Sequence, residues 1–254
     1  MLFSIVVPVL NSEKFLEETL SSILSQKGPD IECIVVDGGS LDLTHDIVKK
    51  FSPYVKLLRA QPLGEPDAIN RGFEVSSGDI VAYIDSDDVY LPGAFQSACN
   101  CFEDGFSWCY GKGLIIDSKG FITRKFVTKF KELFQKEFNF DTLSVLDYIV
   151  QPTVFIKRSI WKEVGLFRKD YKFSFEYDYW LRLAGRTSPA FMNRYIAAWR
   201  HHPGSISVQS PYEEARQAIS IGDIYGPALF RRLLRRLVNY PVPVIYSLLG
   251  SKGI

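Results

Sequence analysis

Strand-like apolar runs alternate with helical spacing through the first half of the sequence, and this alternation constrains the fold more than any other feature. Leu2–Val9 is a continuous apolar run, as expected of a strand buried on both faces. Further strands are predicted at Glu32–Val36, Val55–Arg59 and Asp79–Ile84, with helices between them and a helix from Asp67. Because such strands pair in parallel, the sequence predicts an α/β fold with a mainly parallel, Rossmann-like sheet.

The second half has a different pattern and predicts a smaller mixed region that is fused to this sheet. No flexible linker separates the halves, so we expect one domain over residues 1–215, with halves at 1–105 and 106–215. Asp117–Gly120 is a hairpin-turn sequence. The predicted elements are strands at Phe106–Ile116, Phe121–Val127 and Thr153–Ile156, and a helix at Tyr177–Ala184.

The last segment, residues 216–254, predicts a basic amphipathic helix. No acidic residue occurs from Ile224 onward, whereas apolar residues such as Phe230 and Leu233 recur at helical spacing between the cations. Leu237–Leu249 is mostly apolar but contains Asn239, Pro241 and Pro243, and it is shorter than the ~20 residues of a spanning helix. The cations are Arg231, Arg232, Arg235, Arg236 and Lys252. Two interpretations stay open: a helix at an anionic membrane surface, or one packed on the body with its arginines facing water.

Composition excludes some functions and places the protein. The net charge of the 254 residues is +1, which gives no general attraction for nucleic acid. Cys99 and Cys101 are candidate zinc ligands, but no histidine lies near them in the sequence. Met1 leads directly into a strand without a basic leader, which predicts a cytoplasmic protein, peripheral on the inner membrane face if the basic segment binds there.

Polar residues follow three of the predicted strands, where ligands bind in open α/β sheets. The three segments are Pro8–Asn11, Asp37–Ser40 and Asp85–Asp88. Each alone also suits a helix cap, and Asn11-Ser12 is a good N-cap pair. The three carboxylates of Asp85–Asp88 repel one another, and a hard divalent cation such as Mg²⁺ or Mn²⁺ would relieve that repulsion.

Four segments in order resemble the motifs of glycosyltransferase family 2, which has the glycosyltransferase A fold. They are Ser4–Asn11, Glu32–Ser40, Asp67–Gly72 and Asp85–Asp88. The likeness covers roughly residues 2–96 and recurs at about 150–208. Leu41 and Leu43 depart from the small or polar residues that are usual in the second motif. The resemblance implies a nucleotide-binding sheet and an acceptor side in the second half.

The resemblance also implies roles for individual residues. Pro8 and Leu10 would border the nucleobase, Asp37 would accept a hydrogen bond from it, and Asp87 would ligate the metal that bridges the diphosphate. Asp85 would hold the ribose side. The implied donor-binding set is Pro8, Leu10, Asn11, Asp37, Asp67, Asn70, Asp85 and Ser86.

The second half supplies the candidate bases. Glu176 lies six residues before Arg182, where the family has an acidic residue that is more usually Asp, and Asp178 is the competing candidate. Both also suit the negatively charged first turn of a helix. His202 matches the family's histidine near the metal or diphosphate, although a capping role fits equally well. His45 is expected to be solvated.

These features predict a metal-dependent enzyme that moves a sugar from a nucleoside-diphosphate donor to an acceptor hydroxyl. The resemblance implies inversion at the anomeric carbon, and the basic segment suits a glycan or lipid-linked acceptor in surface polysaccharide synthesis. A nucleotidyltransferase is the nearest rival, but Pro8–Lys14 lacks the Gly-rich basic loop that holds a triphosphate. A non-catalytic scaffold that binds sugar nucleotides at a membrane is the rival from another class.

Overall fold

The computed structural model describes residues 1–239, and the side chains of all of these except Ile206 and Ser207. In this range eight strands form one sheet in the order β3-β2-β1-β4-β7-β6-β8-β5. Strands β1 to β4 pair in parallel, as do β6 and β8, whereas β7 and β5 join antiparallel to their neighbours. The strands are β1 Leu2–Val9, β2 Asp30–Asp37, β3 Val55–Arg59, β4 Ile80–Tyr83, β5 Val89–Tyr90, β6 Trp108–Ile116, β7 Phe155–Lys157 and β8 Ala190–Arg200.

Eleven helices in the described range connect the strands or follow the last of them. They are α1 Leu16–Leu24, α2 Thr44–Lys50, α3 Glu65–Val75, α4 Ala94–Glu103, α5 Lys125–Gln135, α6 Phe140–Leu143, α7 Arg158–Val164, α8 Phe175–Ala184, α9 Ile206–Gln209, α10 Pro211–Tyr225 and α11 Leu229–Asn239. A 3₁₀ turn, Gln151–Thr153, precedes β7. None of the helices in the described range is long and apolar enough to cross a bilayer.

The central strand β1 divides the interior into two cores. Ile5 and Val7 point into one apolar cluster and Val6 points into the other, because side chains alternate along a strand. This two-sided burial explains the continuous apolar run. Helix α3 lies so close to β1 that a Cβ at Gly72 would stand 2.5 Å from a Val6 methyl, so only glycine fits there.

The predicted second hairpin strand, Phe121–Val127, is wrong. The turn after Asp117 forms, but only Ile122 bridges back to Ile116, and helix α5 follows. Strand β8 pairs with one edge of β6 from Cys109 to Ile116, while β7 and Thr153 of the 3₁₀ turn hold the other edge at Trp108–Gly111. Only the end of β6 is left for a hairpin partner, and Ile122 pairs there before α5 begins.

Two other predicted features also need correction. Asn11 and Ser12 do not cap α1, which begins only at Leu16. The predicted domain boundary after residue 215 falls inside helix α10, which packs against both α8 and α11. The part of the apolar stretch Leu237–Leu249 that follows Asn239 lies outside the described residues.

Candidate active site

A cleft of about 1280 Å³ opens at the carboxyl ends of β1 and β4 and extends to α5, α8 and α10. This is the ligand-binding edge of an open α/β sheet. Eight of the residues predicted from the sequence line it: Pro8, Leu10, Asn11, Asp85, Ser86, Asp87, Glu176 and His202. The fold therefore brings both predicted halves of the site to one cavity.

The loop after β1 is fastened to the loop after β2. The Asn11 N–H donates to Ser40 Oγ at 2.9 Å, and the Asn11 side-chain oxygen accepts from the Leu41 N–H at 2.9 Å. Asn11 adopts a positive φ of 53° to do so, a conformation that asparagine tolerates better than most residues. This clamp leaves Leu10 62 % exposed above the cleft, where an apolar surface suits the face of a ring.

Asp37 lies beneath this loop and is almost fully buried. Its Oδ1 accepts from the Ser40 N–H at 3.0 Å, and its Oδ2 lies 2.7 Å from His45 Nε2. Burial raises the pKa of Asp37, but the hydrogen bonds from Ser40 and His45 outweigh it and hold the pKa below its usual value. His45 is thus a partner of Asp37 and not a solvated side chain, and the predicted contact of Asp37 with a nucleobase stays a prediction.

Asp67 and Asn70 do not line the cleft, which corrects their predicted orientation towards the donor. Asp67 pairs with Lys169 and Arg71 and accepts from the Leu63 N–H. The Asn70 amide exchanges two hydrogen bonds of 2.9 Å with the backbone of Phe167. Both side chains therefore tie α3 to its neighbouring loops, and they act on the cleft only by fixing those loops.

Asp85 and Asp87 face the cleft, whereas Asp88 turns into the protein and accepts from the Arg200 N–H at 2.8 Å. Asp87 Oδ2 lies 2.8 Å from His202 Nε2, while His202 Nδ1 accepts from the Gly204 N–H at 3.1 Å. Because Nδ1 is an acceptor, the ring proton sits on Nε2 and is donated to Asp87. His202 therefore orients Asp87 in this arrangement, and its predicted role as a metal ligand stays a prediction.

Arg200 supports the Asp85–Asp88 loop from behind, a role that sequence reasoning missed. It is 1 % exposed, donates through Nε to the Asp87 carbonyl at 2.7 Å and pairs with Glu18 at 2.6 Å. Its guanidinium also donates to the Asp117 carbonyl at 3.2 Å. The backbone position of Asp87 thus depends on a buried cation from the end of β8.

We expect Arg200→Met to lower the free energy of unfolding by about 2–4 kcal/mol, because it leaves two backbone carbonyls without their donors. Glu18→Gln, which removes the 56 % exposed partner of the pair, should cost less than about 1 kcal/mol. Urea denaturation of both variants measures the difference. Equal losses in the two variants would contradict the anchoring role of Arg200.

The two candidate bases, Glu176 and Asp178, have different surroundings. Asp178 is fully buried, pairs with Arg182 and Arg168, and accepts from the Tyr225 hydroxyl at 2.8 Å. Glu176 lines the cleft, and its Oε2 has no hydrogen-bond partner in the described part of the chain. Burial raises the pKa of Glu176 well above its usual value, which increases the affinity of this carboxylate for a proton. Asp178 is therefore a structural residue.

Comparison with known proteins agrees with this geometry. The model of glycosyl transferase family 2 matches residues 4–165, more than half of the chain. The chain belongs to this family. It is 25 % identical over 207 residues to an uncharacterized glycosyltransferase of Rickettsia typhi, covering 79 % of this chain but only 64 % of that relative. It is also 27 % identical to a PGL/p-HBAD biosynthesis glycosyltransferase of Mycobacterium bovis, over 77 % of this chain and 73 % of the relative.

Solved structures of two transferases share the fold of this family 2 chain. Residues 1–349 of Staphylococcus aureus TarS, solved with UDP-GlcNAc, superpose with a TM-score of 0.71 and 19 % identity over 96 % of this chain and 76 % of that one. The Pyrobaculum calidifontis mannosyltransferase PcManGT, solved with GDP-Man and Mn²⁺, superposes with a TM-score of 0.69 and 16 % identity. The match covers 98 % of this chain and 74 % of that one. The predicted glycosyltransferase A-type fold is confirmed.

Carboxylates concentrate around the predicted metal position of this family 2 cleft. Glu65, at the start of α3, is in hydrogen-bond contact with Asp85; burial and the charge of Glu176 raise the pKa of Glu65 to about 7. No group of three or more histidine, cysteine or acidic side chains within residues 1–239 is arranged as a complete metal site. Mg²⁺ and Mn²⁺ need only one or two carboxylates when substrate phosphates complete the shell, so Asp87 and Asp85 fit such an ion.

Several cleft residues escaped the sequence analysis. Desolvation raises the pKa of the half-buried Asp147 to about 6 despite the nearby Lys131, and Glu214 of α10 also lines the cavity. Asp147 stands in a segment without a recognisable motif, so its place in the cleft depends on tertiary contacts alone. Glu65 did carry a signal, because an acidic residue followed by proline is typical of a helix start.

Proposed function

We propose that this family 2 chain transfers a sugar from a nucleoside-diphosphate sugar to an acceptor hydroxyl, with inversion at the anomeric carbon and dependence on a divalent metal. One observation carries the proposal: Glu176, whose Oε2 has no hydrogen-bond partner among the described residues, shares a cleft with Asp87 and the loop after β1. In this proposal Glu176 is the base, Asp87 holds the metal that stabilises the leaving group, and the loop after β1 contacts the nucleobase.

The donor half of the cleft suits a nucleotide. Pro8 and Leu10 offer an apolar edge for the base, and Asp85 and Ser86 line the neighbouring wall, where ribose hydroxyls would find acceptors. Lys14 lines the same side and would face the diphosphate charge. Mg²⁺ or Mn²⁺, held by Asp87 and the diphosphate oxygens, would supply Lewis-acid stabilisation of the departing nucleoside diphosphate.

Glu176 supplies the chemistry on the acceptor side. The acceptor oxygen attacks the anomeric carbon from the face opposite the diphosphate, and its proton passes to the Glu176 carboxylate as the bond forms. The bond between the anomeric carbon and the diphosphate oxygen breaks in the same step, so the configuration inverts. The first turn of α8 holds Glu176 on a rigid element, which favours a fixed position for proton transfer.

The named enzymes among the relatives support this class of reaction, and the M. bovis relative suits a pathway of glycan or glycolipid synthesis. A nucleotidyltransferase is disfavoured by family membership. A non-catalytic sugar-nucleotide scaffold would not need a cleft carboxylate such as Glu176, whose Oε2 lacks a hydrogen-bond partner among the described residues.

The deciding experiment offers the protein a panel of nucleoside-diphosphate sugars with Mn²⁺ and follows release of nucleoside diphosphate by mass spectrometry. We expect release from one donor or a narrow group of donors, slow with water and faster with the true acceptor. Donor binding without any release, with every acceptor class tried, would favour the scaffold. Release of pyrophosphate from a nucleoside triphosphate and a sugar phosphate would favour the nucleotidyltransferase.

A further inference from the structure

Helix α11 packs against the body with the opposite orientation to an ordinary surface helix. Arg235 is fully buried, pairs with Asp223 and donates to the Ser144 carbonyl at 2.8 Å. Its large apolar side chains point outward: Leu229, Phe230, Leu233 and Leu237 are 55–75 % exposed. A helix that buries an arginine and exposes leucines leaves an apolar face without a partner among residues 1–239, and such faces mark interaction sites.

Helix α5 has a matching outward face. Phe126, Phe130 and Leu133 follow one another at helical spacing and are 71 %, 36 % and 76 % exposed, while Val127 on the other side is buried. The two helices flank one segment of chain. Gln135 at the end of α5 donates to the Tyr148 carbonyl, and Asn239 at the end of α11 donates to the Val145 carbonyl, both at 2.9 Å.

These faces continue into the active-site cleft. Phe126 and Phe130 line both the cleft and a neighbouring surface hollow of about 370 Å³, whose wall also includes Leu133. Val238 of α11 lines the cleft as well. An apolar wall therefore runs from the acceptor side, where Glu176 lies, to the outer faces of α5 and α11, which we call the α5/α11 face.

The positive charge of α5 and α11 favours one kind of partner for this face. Helices α5 and α11 together carry seven cationic side chains against one acidic one, Glu132. Asp223 and Asp141 pair with three of the arginines, and the excess stays positive. A second copy of the chain on a twofold axis would bring the same cations together at one interface, where they repel. An apolar surface bordered by cations suits lipid tails below anionic headgroups.

Building on the function proposed above, we propose that the α5/α11 face seats the mouth of the cleft on an anionic bilayer, and that the acceptor is a lipid-linked hydroxyl compound. The lipid stays in the membrane while its head group enters along the wall formed by Phe126 and Phe130. Glu176 then takes the proton of a hydroxyl that is presented from the membrane side. This arrangement explains why the acceptor half of the cleft is apolar at its rim.

Binding to vesicles tests the face without any need for catalysis. The full chain should sediment with phosphatidylcholine vesicles that contain phosphatidylglycerol, and only weakly with phosphatidylcholine alone. The double variant Leu133→Ser and Leu237→Ser should weaken binding about tenfold or more, because it removes apolar area from the interface. Arg232→Gln should weaken it about fivefold, the equivalent of ~1 kcal/mol per cation, and salt should reduce binding by wild type.

The matched control is Tyr54→Ser. Tyr54 is 71 % exposed, close to the 76 % of Leu133 and 73 % of Leu237, but follows α2 at the far edge of the sheet. It should bind like wild type. No sedimentation of wild type at low salt, or equal weakening by Tyr54→Ser, overturns the proposal. So does a dimer in sedimentation equilibrium that the double leucine variant dissociates, since a second copy would then cover the face.

The acceptor class is tested with isotope-labelled donor sugar and membranes of the source cell. Label should enter the organic-extractable fraction, and the double leucine variant should lower this transfer about tenfold. Its release of nucleoside diphosphate to water should equal that of wild type, because neither leucine lines the cleft. Label confined to water-soluble glycans overturns the lipid-linked acceptor while leaving the transferase intact. Absence of nucleotide release by wild type contradicts the transferase itself, whatever the vesicles show.

Discussion

Glu176→Gln is expected to lower kcat about 10²–10⁴-fold, because glutamine keeps the size of the side chain but cannot accept the acceptor's proton. The affinity for the donor should hardly change, since the proposed donor residues come from the loops after β1 and β4 and not from α8. Steady-state kinetics with the true acceptor measure the first quantity, and calorimetric titration with the donor measures the second. A variant with wild-type kcat would exclude Glu176 as the base.

The pH profile provides an independent check of the same residue. Burial raises the pKa of Glu176, so the ionised form that acts as a base appears only at higher pH than for an ordinary glutamate. The acid limb of kcat should therefore lie well above the usual glutamate pKa near 4.5. Glu176→Gln should abolish that limb in whatever activity remains.

Stability separates Glu176 from Asp178. A carboxyl with a raised pKa binds more protons in the folded state, so its contribution to stability is present below the unfolded pKa and is lost as pH rises. Glu176→Gln removes this loss and should leave the protein as stable as wild type, or more stable, at neutral pH. Asp178→Asn breaks buried pairs with Arg182 and Arg168 and should cost about 3–5 kcal/mol. Urea denaturation distinguishes the two.

Local pattern was sufficient to predict the donor half of the fold. The strands β1, β2 and β4 follow from mostly apolar runs because each is covered on both faces, and their polar ends mark the cleft edge. The second half was less predictable. Residues 121–127 have strand-like composition, yet β8 occupies one edge of β6, and β7 with Thr153 holds the first part of the other edge. Edge occupancy is a tertiary property that no local window contains.

The same limit applies to the site. The order of the motifs correctly predicted that Asp85, Asp87 and Glu176 lie in one cleft. It could not distinguish a carboxylate that faces the cleft from one with structural partners, as Asp67 and Asp178 show. One partner of each aspartate, Arg71 or Arg182, lies within the same segment, but Lys169 and Arg168 lie outside both. The orientation of α11 could not be predicted either. The buried Arg235 pairs with Asp223, which belongs to the preceding helix α10, and this contact is not visible in the sequence of α11.

Metal removal and Asp87→Ala should each reduce transfer about 10²–10³-fold, since the loss of a Lewis acid removes several kcal/mol of transition-state stabilisation. Chelation by EDTA should be reversed by added Mn²⁺ in wild type but not in Asp87→Ala. Asp46→Ala is the matched control, because this exposed aspartate of α2 pairs only with the exposed Lys49 among the described residues. It should retain wild-type activity and wild-type response to Mn²⁺.

Direct binding makes the metal prediction independent of turnover. Calorimetry should show Mn²⁺ binding that is strengthened by nucleoside diphosphate, because one or two carboxylates complete a metal site only together with phosphate oxygens. Asp87→Ala should abolish that coupling, while His202→Gln should weaken it less, since His202 orients the carboxylate through a hydrogen bond of 2.8 Å. If His202→Gln abolished binding as completely as Asp87→Ala, the histidine nitrogen would have to reach the metal. The hydrogen bond from Gly204 to Nδ1 would then have to break, so that the ring proton could move to that nitrogen.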